Sequence, residues 1–304
     1  MPEIELAGLD GGNLLSFLAG IGTMRVLART YPSVRMRWVD HGAWRALVQH
    51  PEIGTADELV DAVAQHVCGE GSMDRAWDIG QDLTLSRADF RKHLEAEAER
   101  ATPEDRSAAD FLAAFGCDTF GSGPKKEQMS DTEFRTMSGA GHQHFLGFMK
   151  ELARATDRSH IWRALMEDWD YGDGRPSLRW DPADYRPHAL RADDPSGDPI
   201  KTMRGANRLA VEALPLFPTV ASNRRVRTVA FQEVDRETEI TWPIWTDAID
   251  VETARTLIAS GELQAADDGE TASALARRGI AQIFRARRFT DGKYRNFTPA
   301  KALL

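Results

Sequence analysis

The sequence predicts an α+β fold of mixed helices and antiparallel sheet, arranged as two lobes in one compact chain. Three observations carry this expectation. Capped helical segments dominate the first 170 residues, hairpin signals appear near both ends, and no regular βαβ rhythm links the strands. The lobes are expected at 1–170, mostly helical and acidic with an N-terminal helix and hairpin, and at 171–304, α+β with a basic C-terminal hairpin. The 304 residues exceed the usual size of one hydrophobic core.

In chain order, Asn13 is placed to cap a helix over NLLSFLAGIGTMRVLART, with Leu14, Phe17, Leu18, Ile21 and Val26 on its apolar face. Gly20 and Gly22 each cost about 1 kcal/mol in a helix interior relative to Ala, so something is expected to pack closely there. VRMRWVDHGAWRALV alternates Val34, Met36 and Trp38 and turns around Asp40 to Gly42, a hairpin with one buried face. Thr55 precedes ADELVDAVAQHVC, Ser86 precedes RADFRKHLEAEAERA, and Pro103 with two acids opens EDRSAADFLAAFG; each is a helix start. The glycine-rich FGSGPKKEQMS interrupts these helices, and HFLGFMKELARA and IWRALMED resume them. From DYGDGRPSLRWDPADY onward the composition shifts to Asp, Gly, Pro and Arg, with one strand-like island at SLRW, which marks the lobe boundary. Beyond it come helix GANRLAVEAL, strands RVRTVAFQ and TEITWPIW, and helices VETARTLIAS and TASALARRGI. A closing hairpin then turns at Asp291-Gly292, pairing RRFT with KYRNF.

The formal net charge is -9, with 42% hydrophobic and 28% charged residues. No stretch approaches the roughly 20 apolar residues that cross a bilayer, and MPEIELAGLD lacks the regions of a signal peptide. A cytoplasmic protein without membrane contact is therefore expected. Cys68 and Cys117 sit in apolar helical patterns and read as free, buried cysteines, with no disulfide framework. From Arg175 onward there are 20 Lys/Arg against 18 Asp/Glu, and before it 18 against 29. The cations are concentrated in the second part, which the net charge conceals.

Several segments carry possible chemistry. FGSGPKKEQ lacks the spacing of a phosphate-binding loop of nucleotide hydrolases, but Lys125 and Lys126 could meet a phosphate backbone; the alternative is an exposed turn. His142 and His144 could supply two metal ligands, yet no third ligand is apparent, and no metal or cofactor is expected. Asp168, Asp170, Asp173, Asp181 and Asp184 fit either a two-metal nuclease or loop turns and salt links. No Ser or Cys lies in a recognised nucleophile motif. Arg204 and Arg208 share one helical face behind Lys201, suited either to a phosphate backbone or to the preceding Asp-rich loop. In IFRARRFTDGKYRNF, Arg285, Arg287 and Phe289 should point one way and Phe284, Ala286 and Arg288 the other. Two arginines about 6–7 Å apart along a strand match successive phosphates; the alternative is an edge strand whose charges discourage aggregation.

LAGLDGGNLLSFLAGIGTMRVLA, SLRWDPADYRPHALRADDPSGDP, RGANRLAVEALPLFP, TWPIW and YRNFTPA together resemble proteins encoded with CRISPR type I-G (formerly I-U) systems, in the large-subunit-like or accessory group. The resemblance spreads over most of the chain. It implies a non-catalytic subunit or partner of an RNA-guided DNA interference complex, contributing to nucleic-acid binding, assembly or helicase-nuclease recruitment. Its partners would be other effector subunits, guide RNA and target DNA. It brings no catalytic residues. The expected nucleic-acid contacts are Arg285, Arg287, Arg288, Lys293 and Arg295, helped by Arg204, Arg208, Lys125 and Lys126. Two other readings stay open: a metal-dependent nuclease or phosphodiesterase built on the Asp-rich loop with His142 and His144, and a scaffold making only protein contacts through TWPIW and a tryptophan-rich surface. Trp38, Trp44 and Trp242 nevertheless sit in strand patterns that predict burial.

Overall fold

A computed structural model describes residues 2–123, 126–137, 143–184, 201–222, 225–291 and 294–304. Strand β1 (Glu3–Leu6) leads to helix α1 (Leu14–Leu27), where the Asn13 side chain accepts a hydrogen bond from the Ser16 amide. Every residue of α1 is buried, so the single apolar face read from the sequence is corrected to a helix covered on all sides. Strands β2 (Arg35–Asp40) and β3 (Trp44–Gln49) form the expected hairpin, and β1 joins it in the antiparallel order β1-β3-β2. Met36 and Trp38 are buried as their alternation predicts, while Trp44 is only partly so.

Helices α2 (Ala56–Val67) and α3 (Arg87–Arg100) begin at the Thr55 and Ser86 caps. Helix α4 (Ser107–Phe115) starts later than Pro103 implied, after Arg106. The glycine-rich interruption is a hairpin of β4 (Gly116–Ser122) and β5 (Gln128–Asp131), so Cys117 lies on a strand rather than a helix. Both cysteines are free and half-buried, and burial raises the Cys68 thiol to about 11. Helices α5 (Phe145–Ala155) and α6 (Arg158–Met166) follow. The SLRW island forms no strand. Leu178 and Trp180 are buried in irregular backbone, and Trp180 Nε1 donates to the Phe134 carbonyl at 2.9 Å.

After α7 (Arg204–Ala213) come the hairpin β6 (Thr219–Ser222) and β7 (Arg225–Thr228), then β8 (Phe231–Val234) and β9 (Glu237–Trp245). The single strand expected over RVRTVAFQ breaks at Ala230, whose φ of 71° is incompatible with continuing it. Helices α8 (Val251–Ile258) and α9 (Gly269–Ala276) precede β10 (Ile280–Asp291), β11 (Tyr294–Phe297) and β12 (Lys301–Ala302). The main sheet has the order β11-β10-β9-β8, with β12 also paired to β10. All its pairings are antiparallel.

Close backbone contact joins the two halves of the chain. A Cβ on Gly22 of α1 would lie 2.0 Å from the Leu209 carbonyl oxygen of α7, and one on Gly205 of α7 would lie 2.0 Å from the His160 carbonyl oxygen of α6. Phe17 of α1 packs on Trp38, Trp242 and Trp245, with ring centroids 5.9, 5.9 and 6.2 Å away. The apolar core of the described residues is therefore continuous across position 170, where the sequence changes composition.

Candidate nucleic-acid interface

The closing hairpin forms with Arg288 opposite Phe297 and Asp291 opposite Tyr294. Asp291 thus belongs to the ladder rather than to the turn, and Gly292 and Lys293 lie outside the described residues. The strand's two faces divide as the alternation predicts. Ala286 is buried and Phe284 packs on Trp242 at 5.9 Å, whereas Arg285 and Arg287 occupy the opposite face.

That outer face is not a free cationic row. Arg285 bonds Asp267, Thr241 Oγ1 at 3.0 Å and the Gln264 carbonyl at 2.8 Å, with Glu239 at 3.8 Å. Arg287 pairs with Glu237 at 2.8 Å. The register sets Thr241 opposite Arg285 and Glu239 opposite Arg287, so each glutamate reaches its arginine diagonally from two residues along β9.

The inner side differs. Arg288 donates to the Arg135 carbonyl at 2.9 Å, and Arg295 donates to the same oxygen at 3.2 Å. Burial first, then the like charge of Arg295, pushes Arg288 down to about 10, and its Nε has no hydrogen-bond partner. The Arg135 guanidinium is held by Asp82 and Asp131, each at 2.8 Å.

Arg208 requires a correction: it is fully buried and unavailable to a backbone phosphate. Its guanidinium bonds Glu212 and the Val67 carbonyl at 2.9 and 2.8 Å and lies over the Trp77 ring at 5.1 Å. Arg25 of α1 and Arg29 in the turn after it also reach Glu212, at 2.9 and 2.5 Å. Burial alone would raise this carboxyl, but Arg29, Arg208 and Arg25 together hold it at about 2. Arg204 is likewise committed to the fold, its amide bonding Asp173 at 2.9 Å and its side chain meeting His160 Nε2 at 3.1 Å. The helix-face pair read from the sequence therefore serves packing. Lys125 lies outside the described residues, whereas Lys126 is exposed, with no ion-pair partner among them.

The described acids of the proposed nuclease are engaged in ion pairs and turns or exposed, rather than gathered with histidine as a metal site. Asp170 and Asp173 bind Arg163 at 2.6 and 2.8 Å, Asp168 is exposed, and Asp181 accepts from Asn13 and Tyr171 at 3.2 and 3.1 Å. Burial raises the Asp181 carboxyl despite those bonds. His144 lies 3.7 Å from Asp82, while His142 and the Asp184 side chain are outside the described residues. Among the described residues, no three His, Cys, Asp or Glu side chains gather as a candidate metal site. TWPIW is interior: Trp242 and Trp245 are buried and donate to the Gly11 and Met36 carbonyls at 2.8 Å each, which corrects the tryptophan-surface expectation.

A groove of about 440 Å³ went unread in the sequence. The β4–β5 and β6–β7 hairpins and β8 form its walls, with Phe120, Arg225, Arg227 and Phe231 among its lining. Phe120 is 38% exposed, unusual for so large an apolar ring, and Lys126 backs onto Gly121 at its rim. Arg225 pairs with Glu233 at 3.1 Å, but Arg227 has no ion-pair partner among the described residues. Asp131 and Glu133 line the groove and also act electrostatically on Arg288, so the groove adjoins the inner arginines. The RVR alternation and the Phe beside Lys-Lys were legible, but their proximity was not.

No protein-family model matches this chain, and a search of curated proteins finds no match. Among the described residues no helix is long and apolar enough to cross a membrane.

Proposed function

We propose that the chain is a non-catalytic, nucleic-acid-contacting subunit or partner of a CRISPR type I-G RNA-guided interference complex, acting in the cytoplasm. One observation carries the nucleic-acid part: Arg227, which lacks a carboxylate partner among the described residues, lines a groove that exposes Phe120, with the Lys126 backbone at its rim and the Arg288–Arg295 pair beyond its Asp131 and Glu133. An aromatic face beside cations suits a single strand, because every base can stack and every linkage carries a charge. The assignment to a type I-G complex rests on the sequence resemblance. Contact with other effector subunits, and any part in recruiting the helicase-nuclease, belong to that same reading.

The test is binding of fluorescent single- and double-stranded DNA and RNA across a salt series, with and without magnesium. Affinity should fall steeply with salt, without strand cleavage, and R227E should reduce the log–log salt slope by about one. F120A should weaken single-strand binding by about 1–3 kcal/mol and double-strand binding less. Salt-insensitive or absent binding would favour the scaffold; magnesium-dependent cleavage would favour the nuclease.

A further inference from the structure

Two arginine clusters in this molecule, one buried and one half-buried, are solved differently. Around Glu212, Arg25, Arg29 and Arg208 converge on a carboxylate, as a low-dielectric interior demands. At the base of the hairpin, Arg288 and Arg295 converge instead on one neutral oxygen, the Arg135 carbonyl. Arg135 contributes a third guanidinium nearby, but spends it on Asp82 and Asp131. Among the described residues, no carboxylate oxygen lies within the 4.0 Å ion-pair distance of Arg288 or Arg295.

A guanidinium has five N–H donors, and a single shared carbonyl leaves most of them unused. Arg288 stays charged at neutral pH, and its desolvation and its repulsion from Arg295 are offset only from a distance, by Glu133 and Asp131, with no carboxylate in contact. Its Nε is sealed from solvent without a partner, while Arg295 on the neighbouring strand is partly exposed and offers an approach. The arrangement lacks an anion with several acceptor oxygens. A phosphate group meets that description: its oxygens diverge tetrahedrally and can accept from two guanidiniums on different strands at once, whereas a carboxylate matches one planar fork.

We propose that Arg288 and Arg295 form a seat for a phosphate group, and that its physiological occupant is a backbone phosphate of a nucleic acid running from the adjacent Phe120 groove. The choice of occupant rests on the nucleic-acid reading above; the seat itself does not. Arg285 and Arg287 lie outside it, because Asp267 and the β9 glutamates already neutralise them.

Two measurements on the intact chain separate these statements. The first is the rise in Tm caused by inorganic phosphate relative to chloride at equal ionic strength. The second is affinity for a fluorescent oligothymidylate. R288M and R295M each keep an apolar stem and remove the charge, and R287M is the outer-face comparison. Loss of the phosphate-induced rise in R288M and R295M but not R287M, with oligothymidylate affinity about tenfold weaker, is the expected result. R288M without phosphate should melt no lower than the parent, because Arg295 still satisfies the Arg135 carbonyl.

Loss of the phosphate response with unchanged oligothymidylate affinity would retain the seat and overturn the backbone phosphate as its occupant. A phosphate response absent from the parent, or equal in all four proteins, would overturn the seat. In that case salt-sensitive oligothymidylate binding that depends on Arg227 would leave the nucleic-acid reading standing.

Discussion

Glu212 shows how a single residue can set the electrostatics of a core. Its three arginine partners come from α1, the turn after it and α7, and only its spacing from Arg208 is local in sequence. Because its folded pKa of about 2 lies below the ordinary 4.5, the stabilisation is fully present above about pH 4.5 and is lost as pH falls toward 2. E212Q should cost about 3–5 kcal/mol at pH 7 by leaving buried guanidiniums without a counterion. Urea titrations at several pH values should also show a shallower fall in stability for E212Q than for the parent between pH 4.5 and 2. Equal slopes would show that Glu212 is not the group responsible. At this scale the sequence was legible as charge but not as partnership. Arg208 looks like a surface cation until α1 and α2 close over it.

Among the elements, α7 is fixed by two glycine contacts, at Gly22 on α1 and at its own Gly205 against α6. An added methyl at either would displace backbone rather than a flexible side chain. G22A and G205A should therefore each destabilise by at least about 1–3 kcal/mol, even though alanine is the better helix former. Thermal melts followed by circular dichroism would measure this, with G71A as comparison. A Cβ at Gly71 meets nothing within 4 Å, so G71A should fall within about 0.5 kcal/mol of the parent. Melting temperatures for G22A and G205A equal to that of G71A would refute the close crossing. The cost of Gly20 and Gly22 within a helix was legible in the sequence and correctly implied a close neighbour. The identity of that neighbour was not, since Leu209 is 187 residues from Gly22.

For the whole molecule, the charge division near residue 175 does not coincide with a division of the core. Phe17, Trp38, Trp242 and Trp245 form one aromatic cluster drawn from both ends of the chain. Calorimetry should show one cooperative unfolding transition with equal calorimetric and van't Hoff enthalpies. Two resolved transitions would instead identify 1–170 and 171–304 as independent folding units.

Local chemistry determined much of this protein from the sequence alone: the Asn13, Thr55 and Ser86 caps, the first hairpin, and the inward and outward faces of β10. These depend on neighbouring residues and on the periods of helix and strand, which the sequence displays directly. The availability of each charge was settled by packing. Register placed Glu237 and Glu239 beside Arg287 and Arg285, helix crossing enclosed Arg208, and the approach of the Arg135 carbonyl drew Arg288 and Arg295 together without a counterion. A charge acts through distance and dielectric, and both are properties of the folded chain.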